Sequence, residues 1–223
     1  MNLIKTLLII CILAFGGIVF GQSVTQNGKE ENSNLNFEKI YKTLTEKPTW
    51  LFSEDFCPFD IFPKKIDESV YIADKCDKDA TVCLENCKKN DGMACYTLAV
   101  MIQIKKTPNQ DYSEALFLRA CKLGVISGCT NRAARILNDK SDDEKAVECA
   151  VDTFEKTCEN NDPWGCTMLG FAFYSGQGRP QDFEKALKIL PKACNKYGEE
   201  DEACQTARQF IEEINKTKKK ITE

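Results

Sequence analysis

Cysteine recurs along this chain at a fixed interval. Cys87/Cys95, Cys121/Cys129 and Cys158/Cys166 share the spacing C-x7-C, and Cys194/Cys204 is a longer C-x9-C. The first members of these pairs lie 34, 37 and 36 residues apart. A small residue precedes each second cysteine: Ala94, Gly128, Gly165 and Ala203. Repeats with periods in the mid-thirties are built from stacked helical hairpins. Each hairpin buries its apolar face only against its neighbours.

Local patterns agree with helices. Ser113 to Lys122 places apolar residues at helical spacing and ends before Gly124, a suitable stop, and Ser127 opens a further helix through Leu137. Asp182 is placed to cap the stretch from Phe183 to Tyr197, which ends at Gly198. Pro191 should break that stretch, because proline removes a backbone donor and clashes with the preceding turn. No segment alternates apolar and polar residues as a strand would, so the chain is expected to be all-α. The first cysteine of each pair then ends one helix and the second lies in the opening turn of the next. Such a connection brings two Cα atoms within the ~4.4–6.8 Å a disulfide needs. Each closed loop contributes roughly 2–3 kcal/mol, mostly by restricting the unfolded chain.

The N-terminus suggests where these cysteines would be oxidised. Lys5 is followed by an uncharged apolar run from Leu7 to Phe20, with small residues at Val19 and Gly21. This is the pattern of a secretory signal, with cleavage expected before Gln22 and no stable membrane anchor afterwards. The run of 14 residues is shorter than the ~20 that span a bilayer. Removing the signal takes Cys11 with it and leaves twelve of the thirteen cysteines. An even number in an exported chain fits a disulfide framework in a secreted or periplasmic protein. Residues 22–36 are polar and expected to be a disordered tether, followed by an aromatic capping segment over 37–79. The repeat domain is expected over 80–215, with a basic tail at 216–223.

The segment Trp164–Gly198 resembles a Sel-one-like repeat, a relative of the tetratricopeptide repeat. Leu169, Gly170, Gly176, Gly178, Asp182, Lys185, Ala186, Lys192, Ala193 and Cys194 meet the pattern LGxxYxxGxG, Asp, KA, KAC. Phe173 stands where tyrosine is usual and Arg179 where valine is. Upstream units match less closely: Ala99 replaces a glycine, Ile102 a tyrosine, and Arg132 a core leucine. Ala146 to Cys158 is longer than Ala186 to Cys194 by about one helical turn, and Cys149 sits in the insertion. The paired cysteines are similar to those of the Helicobacter-type cysteine-rich protein family. The resemblance implies a right-handed α/α solenoid of antiparallel helix pairs that mediates protein or peptide interactions. It also implies an alternative activity, since some cysteine-rich relatives are classed as β-lactamases or penicillin binders. A third alternative is a redox or assembly factor.

Four mature cysteines fall outside the repeat pattern: Cys57, Cys76, Cys83 and Cys149. They allow three connectivities, and spacing does not choose among them. Cys83 and Cys87 lie one helical turn apart and can take different partners. No CxxC…CxxC spacing suggests thiolate-bound zinc, so neither metal nor cofactor is expected.

The chain has no histidine, which removes Ser-His-Asp and Cys-His catalysis and His-ligated metals. S-x-x-K is absent, since Ser141 and Lys145 are four apart. Thr153 and Lys156 offer a hydroxyl three residues from a lysine, but at a repeat position where a solvated helix face is the plainer expectation. Gly176-Gln177-Gly178 lacks the Walker lysine and reads as a turn between paired helices. Asp142-Asp143-Glu144 suits a helix start. Asp77, Asp79 and Glu85 lack the EF-hand register. Lys218–Lys220 is expected to be solvated, and Asn215-Lys216-Thr217 is a glycosylation sequon only in a eukaryotic host. With 30 basic and 34 acidic residues, a net charge of −4 argues against nucleic-acid binding through net charge.

Two features suggest contact surfaces. Trp50–Phe62 holds Trp50, Phe52, Phe56, Phe59 and Phe62 with no helical or strand period. It is expected to cap the first hairpin, pinned by Cys57; exposed aromatics of this kind also serve as partner-binding segments. Asn131, Arg132 and Arg135 cluster on one helix, where they would either hold a ligand carboxylate or form an ordinary surface ion pair. Protein or peptide ligands are expected, with cell-wall material as a further ligand class.

Overall fold

The computed structural model describes residues 30–51, 56–66, 76, 79–104 and 111–222, and all regular structure among them is helical. The signal segment and its cleavage site lie outside the described residues. Among the described residues nine α-helices follow in order: α1 (Glu30–Thr45), α2 (Ala80–Lys88), α3 (Gly92–Ile104), α4 (Asp111–Lys122), α5 (Ile126–Asp139), α6 (Glu144–Glu159), α7 (Pro163–Ser175), α8 (Phe183–Ile189) and α9 (Glu202–Thr222). A 3-10 turn over Leu190–Cys194 continues α8. None of the described helices is long and apolar enough to cross a membrane.

The described residues divide into two compact units. The C-terminal unit runs from Cys129 onward and includes the turn Cys57–Asp60; the N-terminal unit holds the remainder up to Gly128. In the N-terminal unit, α1 presents Phe37, Ile40 and Leu44 at i, i+3 and i+7. They join Ala80, Cys83, Leu84 and Cys87 of α2, Leu98, Ala99 and Ile102 of α3, and Leu116, Phe117 and Ala120 of α4 in one buried core. The expected tether is therefore shorter than its polar composition suggests. Residues 30–36 form the first turns of α1, because Phe37, Ile40 and Leu44 anchor the helix they precede. Residues 22–29 lie outside the described residues. The expected basic tail is likewise the last turns of α9, which runs on to Thr222.

Asp79 caps α2 by accepting hydrogen bonds from the Thr81 hydroxyl (2.7 Å) and the Thr81 N–H (2.9 Å). The hydroxyl bond first, and the backbone bond after it, hold the Asp79 carboxyl below the usual carboxylate range. A carboxyl depressed in the folded state stabilises it above the ordinary pKa of about 3.9 and loses that contribution as pH falls through the lower folded value. Asp79→Asn keeps a good cap but does not titrate. Urea unfolding between pH 2 and 7 is expected to show a weaker acid loss of stability for this variant than for the native chain.

In the C-terminal unit α7 is central. It packs against α6, α8, the 3-10 turn and α9. Phe154 of α6, Leu169 and Phe171 of α7, Leu190, and Phe210 and Ile214 of α9 are buried. The Phe171 and Phe210 rings lie 5.2 Å apart, in the range of favourable aromatic pairing. Gly170 permits the close approach of α7: a Cβ there would stand 2.4 Å from Leu190 Cδ2. Asp143 caps α6 and Asp182 caps α8. Pro191 acts as expected, since α8 ends at Ile189 and the chain tightens into the 3-10 turn around it.

Candidate functional site

The distinctive structure of this chain is its set of disulfides. Cys87–Cys95, Cys158–Cys166 and Cys194–Cys204 are bonded, with Cα atoms 4.7, 4.4 and 4.6 Å apart. Each joins the end of one helical segment to the opening turn of the next, as the spacing predicts. Of the three open connectivities the structure selects Cys57–Cys149 and Cys76–Cys83, with Cα separations of 6.0 and 5.0 Å. Cys121 and Cys129 are also disulfide-bonded.

The backbone of the clip repeats as closely as the cysteines do. Three residues beyond Cys87, Cys121 and Cys158 stand Asn90, Gly124 and Asn161, with φ of 69°, 104° and 59°. In the longer last clip Gly198, φ 81°, takes this place. Asn and Gly enter the left-handed region at the lowest cost. At α6 the Asn161 N–H donates to the Cys158 carbonyl (3.0 Å) and the Asp162 N–H to the Thr157 carbonyl (3.0 Å). Asn90 and Asp91 repeat this pair of bonds at α2, as do Gly124 and Val125 at α4. This is a Schellman ending, with the first cysteine set at a fixed position within it.

One residue then does double duty. Asp162 closes α6 and caps α7, accepting from the Gly165 N–H (2.9 Å) and the Thr130 hydroxyl (2.8 Å). Asp91 likewise caps α3 through the Ala94 N–H (2.9 Å). The pairs Asn90-Asp91 and Asn161-Asp162 were the sequence signal for this motif, and the cysteine spacing alone does not reveal it. Small residues before the second cysteines also gain a reason. A Cβ on Gly165 would meet Thr157 Oγ1 at 2.2 Å and the Cys158 backbone nitrogen at 2.9 Å, while one on Gly128 would meet the Phe117 carbonyl oxygen at 2.8 Å.

The two candidate contact surfaces fare differently. Trp50 and Leu51 pack on the core of the N-terminal unit, which agrees with a capping segment. Arg119, only 6% exposed, lies with its guanidinium 5.0 Å from the Trp50 ring centroid and donates to the Trp50 carbonyl. It also donates to the Cys87 carbonyl (Nε 3.3 Å, Nη2 3.2 Å) and to Asn90 Oδ1 (2.9 Å). Burial pushes the Arg119 pKa down. Trp50 is thereby engaged by its own chain. Phe56 is 48% exposed, and Phe52 lies outside the described residues.

On α5, Arg132 is buried at 6% exposure. Asn131 and Arg135 are half-buried, and Arg135 Nε lies 2.5 Å from Asp139 Oδ2. Arg135 thus forms a surface ion pair within its own helix. Arg135→Ala is expected to shift stability by less than about 1 kcal/mol in urea unfolding.

Contrary to the solvated face expected at Thr153–Lys156, Thr153 is fully buried. Its hydroxyl donates to the Cys149 carbonyl (2.8 Å). Lys156 pairs instead with Glu159 (2.8 Å), whose hydrogen bond raises the lysine pKa and holds it protonated. Gly176 and Gly178, with φ of 76° and 67°, form the turn between α7 and α8. Cys194, Glu199 and Cys204 place three potential ligand atoms within 4.8 Å. Both sulfurs are bonded to each other, however, and a disulfide lacks the thiolate a metal requires. Arg208 holds the Glu199 carboxylate and keeps its pKa low.

Compared with known proteins, the chain matches no family model, and no curated protein is detectably similar to it.

Proposed function

We propose that this chain is an exported, non-enzymatic scaffold, a disulfide-clipped right-handed α/α solenoid of Sel-one-like repeats. Its curved surface binds a protein or peptide ligand, with cell-wall material as a further ligand class. The observation that carries this reading is the recurrence of one built unit. A helix, a Schellman ending, a short clip and a capped helix occur at Cys87/Cys95 and again at Cys158/Cys166. A lengthened clip follows at Cys194/Cys204.

Such units hold consecutive helices at set angles and leave their outer side chains free to vary. That suits recognition and requires no reacting group. Oxidised clips agree with an exporting address, and the apolar N-terminal run supplies one. A random peptide library selected on the oxidised mature chain is expected to converge on a shared sequence. Those peptides should bind with Kd in the range of about 1 µM to 1 mM and release when the clips are reduced. Failure to converge would overturn the peptide-binding reading. Nitrocefin turnover by the oxidised chain, abolished by a single substitution, would replace it with a hydrolase.

A further inference from the structure

The five described disulfides are not held alike. Cys76–Cys83, Cys87–Cys95, Cys158–Cys166 and Cys194–Cys204 close sequence separations of 7, 8, 8 and 10 residues. Each includes at least one cysteine with no more than 1% exposure: Cys83, Cys87, Cys95, Cys166 and Cys204. Cys57–Cys149 closes a separation of 92 residues, and both of its cysteines are half-buried. Cys149 is fixed on α6. Cys57 belongs to no helix but opens the four-residue turn Cys57–Asp60, closed by one backbone bond from the Asp60 N–H to the Cys57 carbonyl (3.2 Å).

We propose that Cys57–Cys149 is a thiol–disulfide exchange site, opened by an external dithiol while the four local disulfides stay closed. One thiolate of the dithiol attacks a sulfur of this pair, the S–S bond breaks, and the displaced cysteine sulfur leaves as a thiolate and takes up a proton. The second thiol of the reagent then attacks the mixed disulfide and releases the other cysteine. Two electrons pass to the protein, both cysteines become thiols, and the dithiol becomes a disulfide. Attack requires access to a sulfur: both cysteines of Cys57–Cys149 are half-buried, whereas each local pair has at least one buried cysteine, Cys194 being the half-buried member of the last.

Reclosure also separates the two classes. Cys87–Cys95, Cys158–Cys166 and Cys194–Cys204, once opened, keep their thiols adjacent on packed helix ends and re-form by the reverse exchange, and Cys76 stays within seven residues of Cys83. Cys57 stands on no helix and lies 92 residues from Cys149 in sequence, so this pair recloses more slowly. Reduction thereby removes the covalent link between the Cys57–Asp60 turn and α6. This inference does not depend on the ligand-binding reading, because it concerns the order of bond opening alone.

The test is stepwise reduction of the oxidised full chain with dithiothreitol, quenched by iodoacetamide and mapped by peptide mass spectrometry. Cys57 and Cys149 are expected to be alkylated at least about tenfold faster than any local pair, with helical circular dichroism unchanged. A Cys57→Ser/Cys149→Ser chain should keep its helical signal and the slow rates of the remaining pairs, and lose the fast phase. Opening of a local pair first, or of all pairs together with loss of helicity, would overturn the proposal. Should the double variant not fold, the order measured on the native chain still decides.

Discussion

Replacement of Arg119 by methionine is expected to destabilise the chain by about 3 kcal/mol. Methionine keeps much of the side-chain length but removes the hydrogen-bond donors. The Cys87 and Trp50 carbonyls then lose the guanidinium that reaches both, and the Trp50 ring loses its cation. A buried acceptor left without its partner costs about 1–3 kcal/mol, and a cation over an indole contributes about 0.5–2 kcal/mol. Against these losses stands the relief of desolvating a buried charge, which keeps the expected sum from growing larger.

For a chain of this size, 3 kcal/mol corresponds to a fall in Tm of about 6–12 °C under oxidising conditions. Arg119→Lys is expected to recover only part of this. An ammonium is a point charge and does not bridge two carbonyls and Asn90 with a planar fork. A loss below about 1 kcal/mol for Arg119→Met would show that the clamp holds little, and that Trp50 is retained by apolar packing alone.

Arg119 also marks where reading the sequence stops. Its contacts with Trp50 and Cys87 bridge 69 and 32 residues. Nothing local in SEALFLRACK distinguishes a buried clamp from an ordinary solvated arginine on a helix face. The same limit applies to Cys57 and Cys149, whose pairing over 92 residues left no trace in spacing. Short-range chemistry was legible. The clips, the caps at Asp143 and Asp182, and the break at Pro191 each arise within about ten residues, where backbone geometry leaves few options.

Two failures have a common cause. Residues 30–36 look like a tether and Thr153 looks solvated because local composition carries no record of distant packing partners. The burial of α1 and of the α6 insertion is decided by what packs against them. Arg132 falls to the same limit. Its charge suggested a surface role, yet it is buried.

The close approach at the third clip yields the other large effect. Gly165→Ala is expected to cost about 2 kcal/mol and Gly165→Val about 3 kcal/mol or more, the range for forced overpacking. Part of the conflict is with the Thr157 side chain, whose Oγ1 and Cβ would stand at 2.2 and 2.9 Å. The remainder is with the Cys158 backbone nitrogen at 2.9 Å, which is fixed by the Schellman ending and does not yield. Moving α7 away to make room would stretch the Gly165 N–H bond to Asp162 and pull against Cys158–Cys166.

These two sources can be separated. Thr157→Ala removes the oxygen but keeps the Cβ, so the double variant Thr157→Ala/Gly165→Ala should recover part of the loss and not all of it. A double-mutant cycle in urea measures the coupling directly. Full recovery would locate the whole conflict in one rotatable hydroxyl. The comparison with Ala94 and Ala203 sharpens the expectation, because alanine already occupies the same place before Cys95 and Cys204. Ala94→Gly and Ala203→Gly should cost about 1–2 kcal/mol, as the loss of a buried methyl and of some helix propensity. A small residue is thus expected at every clip, but glycine only where the helix before the clip carries its own side chain and backbone into the space a Cβ would take.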